Sequence, residues 1–439
     1  MQRETDQKLA GLSGEERLKL KLEMKQLYHK KLVRAVIVTV CVCVAVFGFL
    51  AWKMFDHDIL VSSYYPDKDG QRKTASYKPV LDRKSIEKIN YLAAYIQENY
   101  YEEVDEQQLL DGIYKGMYES LDAYSGYYNE EEYKQLWSHD VTGTYSGIGA
   151  TLRQNPDNGQ VTVVEVMEDS PAEEAGIQPG DVIVKADSYP AESMSLSEFV
   201  GHLQGADGTQ VHLVIAREGE RENLEMDVTR RKLVAQSVHF QMFEDHIGYI
   251  QITDFTNQTT GQFEAALTEL QEQGMKGLIV DLRNNPGGML DAVTDILDQI
   301  LPEGLLVYTE DRAGNREEFR STDEKQLTVP LTVLVNENSA SASEIFAGAV
   351  KDRGFGTLIG TRTYGKGIVQ GIQALEDGSA VKLTVSRYYT PNGICIQGTG
   401  IEPDITLKYQ FLGEPEQDYS PELDNQIQKA KELLAEEIG

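Results

Sequence analysis

The spacing of apolar and polar positions changes several times along the chain, and each change marks a part of it. Residues 12–34 are charged, with Leu18 and Leu22 at helical spacing. Ala35 to Trp52 is apolar except for Thr39, long enough to span a bilayer's hydrocarbon core. A polar linker, roughly Asp56 to Lys78, contains Pro66 and Gly70. Helical periodicity then predicts helices over Ser85–Tyr100 and Glu106–Leu121, closed by the DAYSGYY segment Asp122–Tyr128. Over 141–220 the period shortens. The β-like runs Tyr145–Leu152, Gln160–Val166, Gly180–Ala186 and Thr209–Ala216 are separated by glycine-rich turns and one helix, Leu196–Leu203. From about Arg230 strands and helices alternate: strand His246–Ile252, helix Gly261–Glu272, strand Gly277–Arg283, helix Gly288–Ile300, strand Leu331–Asn336, helix Ala342–Lys351. That alternation predicts an α/β layer with buried strands. A last helix is expected over Glu422–Glu436.

These changes divide the chain into 1–34, a membrane helix at 35–53, a linker at 54–80, a helical region at 81–140, a β-domain at 141–220, an α/β core at 221–410 and a tail with its helix at 411–439. Lys25, Lys30, Lys31 and Arg34 precede the apolar run, and Asp56 and Asp58 follow it. That asymmetry puts the N-terminus in the cytoplasm and everything after Lys53 outside. A cleaved signal peptide fits less well, because no small-x-small site follows the run. The formal net charge of −30 excludes a nucleic-acid partner, whose phosphates demand Lys and Arg. Cys41 and Cys43 lie in the apolar run and Cys395 stands alone, so there is no disulfide framework and no Cys/His metal spacing. Neither a cofactor nor a metal is expected.

No histidine occurs after His246, and neither G-x-S-x-G nor H-E-x-x-H is present. The strand at 331–336 instead runs into Ser339-Ala-Ser341-Ala-Ser343 at the start of a helix. There, free amides and the helix dipole favour a developing oxyanion. Downstream, Lys366 sits between Gly365 and Gly367, and Gln370 follows four residues later, on the same face if the segment is a strand. A lysine can serve as a serine's base if burial holds it neutral. Asp281–Leu290, DLRNNPGGML, ends a buried strand in the turn Pro286-Gly287-Gly288. A glycine amide from that turn and the amide after the serine would make a two-donor oxyanion hole.

Other readings fail on particular positions. Gly360-x-x-x-x-Gly365-Lys366 nearly spells a phosphate-binding loop, but Gly367 replaces the Ser or Thr needed for Mg²⁺, and a strand-like run follows. The S-x-x-K strings at Ser85–Lys88 and Ser379–Lys382 lack their S-D-N and K-T-G companions. Asp281 and Arg283 read as a structural ion pair. Serines before a helix are most often caps, so the SASAS run gains its catalytic reading from the company it keeps.

The turn Tyr145-Ser146-Gly147-Ile148-Gly149 and the segment SPAEEAGIQPGDVIVKAD (Ser170–Asp187) resemble a PDZ domain of the circularly permuted kind found in bacterial proteases. The resemblance implies that the Ser146–Gly149 loop takes a terminal carboxylate, that Tyr145 belongs to the same peptide-binding set, and that Ile148, Val200 and Leu203 line the pocket for the last residue. With LLDGIYKGMYESLDAYSGYY, GYIQITDF, GLIVDLRNNPGG, VNENSASASEI, GTRTYGKGIVQ and YYTPNGICIQGTGIEPDI, the chain from about Ser85 to Leu434 resembles the carboxyl-terminal processing peptidases, or tail-specific proteases. That resemblance makes Ser341 the nucleophile, Lys366 its base and Gln370 the residue that orients the lysine. The oxyanion donors fall on Ala342 and on Gly287 or Gly288. Ile394-Cys395 departs from the family pattern, where a basic residue and Ser are commoner. The fold implied is an α/β protease core with an inserted, mostly β PDZ domain, a helical N-terminal region and one N-terminal transmembrane helix. The substrates implied are proteins or peptides with free C-termini, cut near unstructured tails, in a bacterial envelope and often by a self-associating enzyme. The alternative is a PDZ scaffold on a catalytically silent protease fold.

Overall fold

The computed structural model describes residues 81–439 except 157, 323 and 415–418, the side chain of residue 139 also excepted. It further describes 64–66, 72–74 and scattered positions between 14 and 33. The chain forms two compact units, Met1–Val104 and Asp105–Gly439. In the first, β1 (Tyr64–Pro66) and β2 (Arg72–Thr74) form an antiparallel pair. Helix α1 (Arg83–Asn99) is capped by Asp82, whose carboxylate accepts from the Ser85 amide.

One expectation is corrected here. Among the described residues no helix is long and apolar enough to cross a membrane, so the fold carries no transmembrane helix as an observed element. The run from Ala35 to Trp52 on which that expectation rested lies outside the described residues.

The second unit opens with α2 (Glu106–Tyr118), β3 (Gly126–Tyr128) and α3 (Glu130–Leu136). Asp105 caps α2, and Asn129 with Glu132 makes a reciprocal capping box on α3. A small β-domain follows: β4 (Thr144–Gly147), β5 (Ala150–Gln154), β6 (Val161–Val166), helix α4 (Pro171–Glu174), β7 (Val182–Ala186), β8 (Tyr189–Pro190), helix α5 (Leu196–Leu203), β9 (Gln210–Ala216), β10 (Leu224–Thr229) and β11 (Arg231–Val234). Its main sheet runs β10-β9-β7-β6-β5, which leaves β5 at the edge. Strand β4 is not in that sheet; it pairs with β11 where the domain rejoins the core. The core of this domain packs Phe199 and Leu203 of α5 against Val161, Ile183, Leu213 and Ile215.

The α/β core then alternates as its periodicity requires: β12 (Val238–Met242), β13 (Ile247–Ile252), α6 (Thr259–Glu272), β14 (Gly277–Asp281), α7 (Leu290–Asp298), β15 (Gly304–Asp311), β16 (Arg316–Ser321), β17 (Leu331–Val335), α8 (Ala342–Asp352), β18 (Gly356–Gly360), β19 (Ile368–Ala374), β20 (Ala380–Tyr389), β21 (Ile405–Thr406) and α9 (Asn425–Ile438). The principal sheet runs β12-β13-β14-β17-β18-β21, parallel from β13 onward. Its central strands β14 and β17 are buried throughout, because both faces are covered. Leu278, Val280, Val333 and Val335 face the cluster that holds α6, α7 and α8. Ile279 and Leu334 point the other way, to Ile427, Ala430 and Leu434 of α9. A second sheet, β16-β15-β20-β19 with β3 also on β20, lies outside this alternation.

Candidate active site

The site forms where β14 and β17 end. Strand β14 runs into Asn284-Asn285-Pro286-Gly287-Gly288, and β17 into the serine-rich turn before α8. Asn284 has a positive φ of 62°, and its carbonyl oxygen Oδ1 accepts from the side-chain amides of Asn336 and Asn338, each at 2.9 Å. Asn285 is fully buried. Its side chain donates to the Ile252 carbonyl at 2.8 Å, and its own carbonyl accepts from the Ala340 amide at 3.0 Å. The two turns are thereby locked together.

The three serines separate by their partners. The Ser339 hydroxyl donates to the Leu282 carbonyl at 2.8 Å, and the Ser343 hydroxyl to the Asn285 carbonyl at 3.0 Å, both in buried surroundings. Ser341 is half-buried, at φ 54° and ψ −113°, a backbone conformation that strongly favours glycine. A Cβ placed on Gly287 would lie 2.7 Å from both the Ala340 carbonyl and the Ser341 Cβ, so only glycine lets this turn back against Ser341.

Two buried side chains hold the Ser341 and Lys366 turns together. The carboxylate of Glu344 accepts four hydrogen bonds: Thr363 Oγ1 at 2.6 Å, Gly365 N at 2.7 Å, Lys366 N at 2.8 Å and Ser341 N at 3.0 Å. One oxygen, Oε2, takes both the Ser341 and the Lys366 amides. Burial pushes the Glu344 carboxyl above its usual range while the four donors pull it back. From the other side the hydroxyl of buried Tyr388 reaches the carbonyls of Ser341, at 3.0 Å, and of Lys366. Burial holds Tyr388 well above the ordinary tyrosine range, so it stays a donor.

Lys366 is half-buried. Desolvation lowers it below the ordinary lysine range, the Lys382 charge pushes the same way, and Asp140, Glu344 and Asp122 oppose. Its Nζ lies 4.6 Å from the centroid of the Tyr124 ring. Tyr124 comes from the turn after α2, which Asp122 closes by accepting the Tyr124 and Ser125 amides. Its hydroxyl meets that of Tyr364 at 3.3 Å, and that contact, with burial, pushes it up to about 12.

Gln370 is placed differently from the alternation argument. Strand β19 begins at Ile368, so Lys366 precedes it and strand periodicity does not relate the two side chains. Gln370 Nε2 lies 3.4 Å from Thr384 Oγ1 on β20. No hydrogen bond joins Ser341 Oγ to Lys366 Nζ, or Lys366 to Gln370. Of the glycines, Gly287 spends its amide on Asn285 Oδ1 at 2.8 Å. Its carbonyl accepts from the Phe255 amide at 2.9 Å. In a trans peptide the next N–H, that of Gly288, points the opposite way and, among the described residues, has no partner; nor does the Ala342 amide at the start of α8.

In the β-domain, Ile148 and Leu203 are buried in the core. Val200, Tyr145 and Gln204 line a cavity of about 350 Å³ that Thr253, Asp254 and Thr256 close from the protease core. Gly149 is held at φ 82°, with Ser170 Cβ 2.4 Å from where its side chain would begin; Gly147 has no such φ. The Ser146 hydroxyl is buried and, among the described residues, has no partner. The sequence had singled out none of Glu344, Tyr388, Asn285 or Tyr124.

A model of the Peptidase family S41 matches residues 246–407, one of a PDZ domain matches 162–217, and one of the Activating protease CtpB N-terminal domain matches 42–132. The chain is 35% identical over 322 residues to the carboxy-terminal processing protease CtpA of Bacillus subtilis (strain 168), covering 73% of this chain and 68% of that protein. It belongs to the carboxyl-terminal processing proteases. The carboxyl-terminal-processing protease of Synechocystis sp. is 38% identical, with 67% of this chain and 69% of that protein covered. Among solved structures, a photosystem II D1 C-terminal processing protease is 31% identical, covering 72% of this chain and 86% of that one at a TM-score of 0.44. As a member of this family the chain is a serine-type peptidase carrying a PDZ domain.

Proposed function

We propose that this carboxyl-terminal processing protease cuts polypeptides near unstructured C-terminal tails with Ser341 as nucleophile and Lys366 as base. The observation that carries the reading is the shared oxygen of Glu344, which accepts from the amides of both residues. Neutral Lys366 takes the Ser341 proton as Oγ attacks the scissile carbonyl. The Ala342 and Gly288 amides receive the oxyanion. The lysine ammonium then hands its proton to the leaving amine, and the acyl-enzyme is hydrolysed by water with Lys366 again as base. Resting hydrogen bonds of this kind are often long and tighten when substrate is bound. Gln370 orients the lysine once the site closes.

The PDZ domain presents substrates by their ends. The Ser146–Gly149 loop takes the terminal carboxylate, with the unpartnered Ser146 hydroxyl as one donor, and the open edge of β5 takes the preceding residues. An envelope setting belongs to the same proposal, and activity found only in cytosolic fractions would reject it.

The decisive test replaces Ser341 with alanine and, separately, Lys366 with alanine. Each is expected to lower kcat on an unstructured peptide by about 10³-fold or more, with the melting transition kept, because nucleophile and base act as a unit. Labelling of native chain, but not Ser341→Ala, by a serine-directed phosphonate separates this reading from a silent scaffold. Near-native cleavage by Ser341→Ala would remove the assignment.

A further inference from the structure

Strand β19 starts two residues after Lys366, carries Gln370, and forms one edge of the second sheet. Among the described residues it pairs only with β20, so its outer N–H and C=O groups face no strand. Natural proteins blunt such edges with charge or proline. The opposite edge of the same sheet does so: β16, REEFRS, carries Arg316, Glu317, Glu318 and Arg320. Strand β19 reads IVQGIQA, with no charge and no proline over seven residues.

Gly371, in its middle, is not required by the fold. It has no positive φ, and a Cβ there would meet only Val385 side-chain atoms, at 3.4 and 3.6 Å, ordinary van der Waals contact. Glycine inside a strand weakens it unless another backbone comes close. Opposite Gly371 stands Leu383, and beside it Val385, the extra residue where the β19/β20 register shifts. Leu383 is 40% and Val385 47% exposed. The glycine therefore leaves a shallow apolar shelf open beside a free strand edge. Bulges of this kind recur next to active sites.

We infer that the substrate's extended chain docks as an added strand on the outer edge of β19, with alternate side chains resting on the Gly371–Leu383–Val385 shelf. The occupant is the polypeptide being cut, because the edge is continuous with the Lys366 turn and leads the chain directly to it. Backbone pairing supplies affinity without reading sequence, and the shelf favours an apolar residue at one position. This rests on the Ser341–Lys366 reading for the place of cutting, but the binding arm of its test does not depend on turnover.

The probe is an unstructured, C-terminally amidated dodecapeptide that the native chain cleaves, so that no free carboxylate engages the PDZ loop. Its amides are N-methylated one at a time, and binding to full-length Ser341→Ala protein is measured by calorimetry. Methylation at alternate residues near the scissile bond is expected to weaken binding about tenfold, and at the residues between them less than about twofold, since every second amide faces the paired strand. In parallel, Gly371→Val, which fills the shelf, is expected to raise KM for the unmethylated peptide about tenfold, and Gly371→Ala by less. Phosphonate labelling of Ser341 reports whether each variant is folded; if Gly371→Val is not, Gly371→Ala and the methylation scan decide. Losses with no alternation, or an unchanged KM in a folded variant, overturn the inference. A native chain that cannot be labelled at Ser341 would instead overturn the nucleophile, a distinguishable failure.

Discussion

The turn at Ser341 and the segment Ser146–Gly149 at the end of β4 both have most of their backbone bonded, and they differ in the side-chain groups they leave unmet. Around Ser341 nearly every backbone group is taken: Glu344 closes four donors, Tyr388 bridges two carbonyls, and Asn285 knits the neighbouring turn. Among the described residues, the groups left over there are the Ser341 hydroxyl and the Ala342 and Gly288 amides, which are the ones the proposed chemistry uses. At the end of β4 the Ser146 hydroxyl is buried and, among the described residues, has no partner. A catalytic centre must be rigid before substrate arrives, whereas a receptor can keep an unmet demand that only its ligand satisfies.

The comparison breaks most visibly at Glu344. Glu344→Gln keeps the shape but cannot accept four donors with one carbonyl oxygen. kcat on an unstructured peptide is expected to fall by about 100-fold with KM little changed, because Ser341 and Lys366 drift apart by a fraction of an ångström or more. Stability should fall by about 1–3 kcal/mol in denaturant titration, the cost of donors left unmet in a buried site. A kcat within threefold of native would show that the shared carboxylate positions nothing.

At the loop the signs divide. Ser146→Ala removes a buried hydroxyl that has no partner, so unfolding should become harder by about 1 kcal/mol. Binding of a free-acid tail peptide should weaken by about three- to tenfold, and binding of the amidated peptide should barely change. A variant that is less stable and binds both tails as before would show that Ser146 is an ordinary structural residue.

The smallest effect concerns charge. Lys382 pushes Lys366 toward its neutral form, so Lys382→Gln should raise the Lys366 pKa. Activity increases as pH rises through that pKa, so the acid limb of the kcat/KM profile should move to higher pH. Lys382→Arg keeps the charge and should leave the limb in place. An acid limb that moves down, or moves equally in both variants, would remove Lys382 from the electrostatics of the base.

Much of this architecture can be read along the chain, and the unreadable parts share a cause. The buried strands β14 and β17 announce themselves as apolar runs ending in NNPGG and NENSAS, and helices α5 and α8 start at the residues their patterns predict. Local chemistry sets those features. Glu344 looks like an exposed acid in the first turn of a helix, yet it is fully buried, because the strand pairing of β17 and β18 brings the 363–366 segment over it. Tyr388 is the penultimate residue of a strand of alternating residues whose inward side only the second sheet decides. Tyr124 meets Tyr364 across 240 positions, a distance at which no periodicity carries information. Ile148 and Leu203, apolar residues just after β4 and in α5, also belong to the domain core, a packing that the local pattern alone does not reveal. The supposed shared face of Lys366 and Gln370 depended on a strand that starts later than the glycines suggest.

The backbone at Ser341 sets this protein's stability against its activity. A serine held at φ 54° and ψ −113° costs the fold about 1–3 kcal/mol that a glycine would not. Mutational drift toward glycine would therefore be rewarded in every measure of folding, expression and lifetime, and opposed only by the loss of the hydroxyl. Under the proposed mechanism, serine persists at that position only as long as cleavage itself is under selection.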